Sequence, residues 1–129
     1  LKRNGVDANQ NHRAAGAVVE DIALAYLEQH DYKLLARNFF SRHGEIDLIM
    51  SRQQCIVFVE VRHRLSTQYG GALESITWHK QQRLRKTALS FMTRYKAHSS
   101  ACRFDVLCYS GALKLLNQDT EPLWLKNAF

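Results

Sequence analysis

The chain has 129 residues, of which 46% are hydrophobic and 23% charged, a length and composition that fit one globular domain with its own core. Lys and Arg number 18 against 12 Asp and Glu, and the net charge of +6 suits a polyanionic partner. No apolar run is long enough to cross a membrane and no signal-peptide pattern opens the chain, so a cytoplasmic protein with no membrane role is expected.

Residues 1–12 are polar and are expected to form a loose tail, with 13–129 as the single domain. From about Arg13 to His30 the pattern turns helical, with Val19, Ile22, Ala23, Tyr26 and Leu27 forming one apolar stripe. Glu20 falls at the border of that stripe, where a solvated helix acid is the plain reading. Tyr32 to Phe40 alternates as a strand. Its polar interruptions, Arg37 and Asn38, are either edge residues or phosphate contacts.

The stretch Gly44 to Arg64 carries the strongest signal. It predicts two strands rich in β-branched residues, joined by the turn Ser51-Arg52-Gln53-Gln54. Strict alternation puts Glu45, Asp47 and Ile49 on one face of the first strand, opposite Ile46, Leu48 and Met50. In the second, Ile56, Phe58, Glu60 and Arg62 share a face. Glu60 therefore sits inside an otherwise apolar run, where an ionised carboxylate costs several kcal/mol unless something compensates it. If the strands pair with these faces aligned, Asp47, Glu60 and Arg62 converge. Spacing leaves two readings open: an ion pair made by Arg62, or a carboxylate site for a hard cation.

The basic cluster Arg62, His63 and Arg64 leads into a loop, Leu65 to Ser75, that holds Gly70 and Gly71. This cluster is either solvated or positioned for a phosphate backbone. Thr77 is a good N-cap for a helix that runs to about Tyr95 on the stripe Leu84, Ala88, Phe91 and Met92. Lys80 near its start opposes the helix dipole, which hints at a role other than helix stability. Arg83, Arg85 and Lys86 fit a solvated basic face. Arg103 to Tyr109 is a further strand, in which Asp105 is expected to serve an ion pair or hydrogen bonds. Lys114 to Leu116 is expected to add a short strand, and Asn117 to Phe129 an arm packed on the domain. Cys55, Cys102 and Cys108 lack metal-site spacing and fit buried free thiols in a reducing compartment.

Taken in order, Gly16-x-x-x-Glu20, Arg37-Asn38, Gly44-Glu45-Ile46-Asp47-Leu48-Ile49, Phe58-Val59-Glu60-Val61-Arg62, Tyr69-Gly70-Gly71, Lys80-Gln81 and Arg103-Phe104-Asp105-Val106 resemble the YraN family of small bacterial proteins. The acids, with a basic residue two positions after the second, resemble the PD-(D/E)xK nuclease superfamily, and the set is similar to archaeal Holliday-junction resolvases. The resemblance implies an α/β fold with a restriction-endonuclease-like core, a central mixed β-sheet flanked by helices in the order αβββαβ. It implies a metal-dependent endonuclease acting on DNA phosphodiesters, including branched DNA. Asp47 and Glu60 would hold Mg²⁺ or Mn²⁺, with Glu45 as a further ligand and Glu20 as an accessory acid. Arg62, Lys80, Glu20, Asp47 and Glu60 form the implied catalytic set. Arg37, Asn38, Arg62, His63, Arg64, Lys80 and Gln81 form the implied nucleic-acid contacts. A homodimer follows only by analogy with resolvases, which need two active sites.

One departure matters. The superfamily lysine is replaced by Arg62, which stays protonated at physiological pH and is a poor general base. Lys80 is a candidate stand-in. The alternative is a catalytically inactive nucleic-acid-binding module on the same fold.

Overall fold

The computed structural model describes residues 8–66, 71, 73–98 and 100–129, with side chains from residue 14 onward. Helix α1 spans Ala8–Gln29, followed by strands β1 (Lys33–Ser41), β2 (Gly44–Arg52) and β3 (Cys55–Arg64). Helix α2 (Trp78–Arg94) then crosses to β4 (Ala101–Ser110), and β5 (Leu123–Leu125) follows. The strands form one sheet in the order β1-β2-β3-β4-β5. Only β3 and β4 pair in parallel, so the sheet is mixed.

Two cores lie on opposite faces of the sheet. Against α1 pack Val19, Ala23, Tyr26 and Leu27, with Leu48, Met50, Val57, Val59, Leu107 and Tyr109 from the strands. Against α2 pack Leu84, Ala88, Phe91 and Met92, with Ile46, Ile49, Ile56, Phe58, Phe104 and Val106. Each helix thus buries the apolar stripe its sequence spells out, and the central strands are apolar on both faces because both faces are covered.

Several boundaries differ from the sequence expectation. Helix α1 begins at Ala8, inside the stretch expected as tail; residues 1–7 lie outside the described residues. No Pro or Gly separates Ala8 from Arg13, so nothing stops the helix extending once its apolar stripe has docked. The β2–β3 turn is tighter than expected. Ser51 and Arg52 stay in the ladder, and only Gln53 and Gln54 turn the chain, both at positive φ (51° and 65°). That pair of angles belongs to the hairpin turn whose twist matches the flanking strands. Leu113–Leu115 forms a single 3-10 turn, which replaces the strand expected at Lys114 to Leu116.

The C-terminal arm supplies a fifth strand absent from the expected αβββαβ order. It pairs antiparallel with β4 from Val106 to Cys108. Asp105 fixes it there. Its buried carboxylate accepts from Arg103 Nε (2.9 Å), Trp124 Nε1 (3.0 Å) and the Asn127 backbone N–H (2.9 Å). Phe129 then stacks on Phe104 at 4.9 Å, while Leu123 stays exposed. The expectation of buried thiols holds for Cys108; Cys102 is exposed and Cys55 half-buried.

Candidate functional site

The alternation of β2 breaks at Asp47. Ile46 and Ile49 face α2, whereas Leu48 and Met50 face α1, so Glu45, Asp47 and Ile49 do not share the single face expected of a regular strand. The cause is visible in the ladder. Pairing between β2 and β3 runs from Arg52↔Cys55 only as far as Leu48↔Val59. Beyond that point the Asp47 side chain takes over, and its Oδ2 accepts the Val61 backbone N–H at 2.8 Å. A carboxylate replaces a backbone carbonyl, the strands part, and a cleft of about 420 Å³ opens at the sheet end between α1 and α2.

The cleft gathers most of the residues singled out in the sequence. Glu20, Glu45, Asp47, Glu60, Arg62, His63 and Lys80 all line it. Glu60 is only 4% exposed. Its Oε2 lies 3.7 Å from Lys80 Nζ and 3.9 Å from Arg62 Nη2, close enough for ion pairing and too far for hydrogen bonds. Among the described residues its Oε1 is buried with no hydrogen-bond partner, as is Arg62 Nε. Burial, and then the charge of Glu60, push the Asp47 carboxyl from its ordinary 3.8 up to about 8. Burial raises Glu60 too, against the pull of Lys80 and Arg62. Two desolvated acids therefore face one cleft with less positive charge against them than they would need to ionise together.

The other expected residues are placed differently. Arg37 and Asn38 turn onto α1. Asn38 adopts a left-handed backbone (φ 53°), so neighbouring side chains both reach the same helix. Arg37 donates to the Ala17 carbonyl and pairs with Glu20 and Asp21, and Asn38 Nδ2 donates to Glu20 Oε1 at 3.0 Å. They hold Glu20 at the cleft wall rather than presenting their donors to it. Gln81 Nε2 donates to the Ile76 carbonyl at 3.2 Å, and Arg64 Nη2 to the Gly71 carbonyl. His63 lines the cleft, but its Nε2 donates to the Gly111 carbonyl at 2.8 Å, which sets the tautomer. Glu45 is exposed at the rim. Tyr69 and Gly70 lie outside the described residues.

Two contributors to the cleft were not legible as such. The Val61 N–H carries no side-chain signal. Arg83 fell within the face expected to be solvated, yet it lines the cleft one turn after Lys80, a spacing that puts the two on adjoining positions of α2. Gly16, the first residue of the quoted motifs, also lines it, and a Cβ there would meet nothing within 4 Å among the described residues.

Among the described residues, no group of three His, Cys, Asp or Glu side chains could hold a metal ion by itself. Asp47 and Glu60 are a two-carboxylate set. They still fit a hard, oxygen-seeking dication, which is often held by one or two carboxylates with waters and substrate phosphate completing the shell. The Glu60 Oε1 that lacks a partner among the described residues, and two carboxyls that burial keeps from ionising together without a further positive charge, are the observations that match such an ion. Among the described residues no helix is long and apolar enough to cross a membrane.

The molecule is thus a mixed α/β protein with a carboxylate and cation cleft at the open end of its sheet. The chain belongs to UPF0102, described as an uncharacterised protein family, whose model matches residues 19–108. It is 42% identical over 125 residues to a UPF0102 protein of Aliivibrio fischeri, covering 95% of this chain and 97% of that one. It is 43% identical over 114 residues to a UPF0102 protein of Nitrosomonas europaea, covering 88% and 92%. With one from Pseudomonas fluorescens the identity is 42% over 118 residues, covering 89% and 92%.

Proposed function

We propose that this chain is a divalent-cation-dependent endonuclease that hydrolyses DNA phosphodiesters, branched DNA included, on a restriction-endonuclease-like core of the PD-(D/E)xK type. The observation that carries the reading is the electrostatically coupled pair of a half-buried Asp47 and a buried Glu60, in a cleft whose other charged walls are the cations Lys80, Arg62 and Arg83 and the acids Glu20 and Glu45. Acids that must stay desolvated, next to cations that suit a phosphate, are matched to a phosphodiester and an ion together. Mg²⁺ or Mn²⁺, when bound by Asp47 and Glu60, supplies charge neutralisation at phosphate and a water of lowered pKa.

The protein's own groups divide the remaining work. The Val61 N–H engages Asp47 Oδ2 and steadies a side chain that lines the cleft. Glu20, steadied by Arg37 and Asn38, accepts a hydrogen bond from water on the α1 side. Lys80, from α2, takes the place of the superfamily lysine that Arg62 does not supply, orienting the attacking water. Arg62 stays protonated and stabilises the charge that grows on phosphorus oxygens. Glu45 at the rim is the outer candidate ligand. A DNA substrate implies a cytoplasmic site of action, and paired cuts at a junction imply a homodimer.

A second reading, a nucleic-acid-binding module that has lost hydrolysis, is favoured by the same Arg62. Labelled linear, flapped and four-way-junction DNA incubated with Mg²⁺ or Mn²⁺ separates the two. The parent should cut and an identically purified Asp47→Asn variant should not. Equal cutting by both would point to a contaminant and sink the assignment. No cutting by either would leave the binding module, to be measured by gel shift against salt.

A further inference from the structure

Helix α2 carries five Lys and Arg residues and no Asp or Glu along Trp78–Arg94. Its buried side is apolar, so this charge is all on the remaining surface. At about 100° per residue, the side chains follow one another around the helix in the order Lys80, Arg83, His79, Lys86, Gln82, Trp78. Lys80 and Arg83 line the cleft of Asp47 and Glu60. Arg83 also lines a second, shallower groove of about 400 Å³ together with Trp78, His79, Gln82 and Lys86. Arg83 is therefore the wall shared by the two. Trp78 is 65% exposed, although tryptophan is among the residues with most to gain from burial. Among the described residues its ring contact is with the neighbouring His79, T-shaped at 5.2 Å, which covers at most one face of the indole.

We infer that this groove holds the unpaired strand of a DNA substrate, with Trp78 stacking on a base and Arg83, Lys86 and His79 following the phosphates away from the cleft. The inference deepens the nuclease reading and rests on it for the direction of the strand. An exposed aromatic face beside a row of cations is the chemistry by which single strands are held without sequence readout, because every base presents a π-face and every step a phosphate. A base inside a duplex is stacked on its neighbours and cannot offer that face. The substrate class named is DNA with a single-stranded segment beside the scissile bond: a flap, a fork or an opened junction.

The test is binding of the intact chain in divalent-free buffer, where hydrolysis plays no part. The ligands are oligo(dT), a forked duplex and a blunt duplex, and the proteins are the parent, Trp78→Ala and Trp78→Phe. The chain has two tryptophans, and Trp124 is held by Asp105 away from this groove. Oligo(dT) should quench the parent's emission, and Trp78→Ala should abolish the quench. Affinity for oligo(dT) and the fork should fall about tenfold or more in Trp78→Ala and be largely kept in Trp78→Phe, with the blunt duplex nearly unchanged. Equal affinity of Trp78→Ala and parent for oligo(dT) would overturn the inference. So would an equal loss on the blunt duplex, or no binding of any of the three by the parent. A Trp78-dependent preference without cleavage in the Mg²⁺ assay would reject hydrolysis alone; cleavage without that preference would reject stacking alone.

Discussion

Replacing Asp47 by Asn should stabilise the metal-free protein, and by an amount that grows with pH. The Asp47 carboxyl rises from 3.8 to about 8 on folding. Between those values the folded protein holds a proton that the unfolded chain has released. Stability from this group is therefore fully present at low pH and is lost as pH climbs toward the folded value. Each pH unit in the window costs about 1.4 kcal/mol, so from about pH 5 to about pH 7 the loss is up to ~3 kcal/mol. Glu60, raised by the same burial, shares in it. Asparagine keeps an oxygen for the Val61 N–H and does not titrate. For a domain of this size ~1 kcal/mol moves Tm by roughly 4 °C, so the gap between variant and parent should widen by up to about 10 °C across that range. The assay is thermal unfolding in EDTA at several pH values. Histidines and surface acids are common to both proteins and drop out of the difference. Parallel curves for variant and parent would refute the claim that the cleft stores unfavourable carboxylate charge.

The same repulsion predicts that Mn²⁺ raises Tm more at about pH 8 than at about pH 6, where protons compete for the two carboxylates; an equal rise at both would argue against binding there. Lys80→Ala should lower DNA cleavage about 100-fold while weakening gel-shift affinity far less, and comparable losses in both would make Lys80 a mere phosphate contact. Asn38→Val should cost about 1–3 kcal/mol in urea unfolding, since a β-branched residue resists its φ of 53°. Asn38→Gly separates that strain from the lost Glu20 hydrogen bond. Asp105→Ala should cost about 3–5 kcal/mol, because it strands Arg103 and the Trp124 and Asn127 donors beneath the arm, and should shift the Trp124 emission.

The helices and β1 to β4 were legible because each repeats its period for several turns or residues. Glu60 was legible for the opposite reason, as one charge inside an apolar run. The fifth strand was not. Lys114 to Leu116 and Leu123 to Leu125 are both short and apolar in part, and only the free edge of β4 between Val106 and Cys108 selects the second. Periodicity also failed at Asp47 and Asn38, where a side-chain acceptor and a left-handed residue interrupt the strands. Those two interruptions build the cleft and secure Glu20, so the pattern breaks where the site begins. Trp78 had no signal either. An exposed tryptophan is recognisable only once the buried side of its helix is known.

The parallel pairing of β3 with β4 has a consequence for how the cleft comes into being. Strands β1, β2 and β3 form a meander closed by short turns, so Asp47 and Glu60 can meet through local contacts alone. Lys80 arrives on the long crossover that the parallel neighbour requires, and long closures form slowly. Arg62 comes with Glu60 on β3 itself, so of the two cations against that acid only Lys80 depends on the crossover.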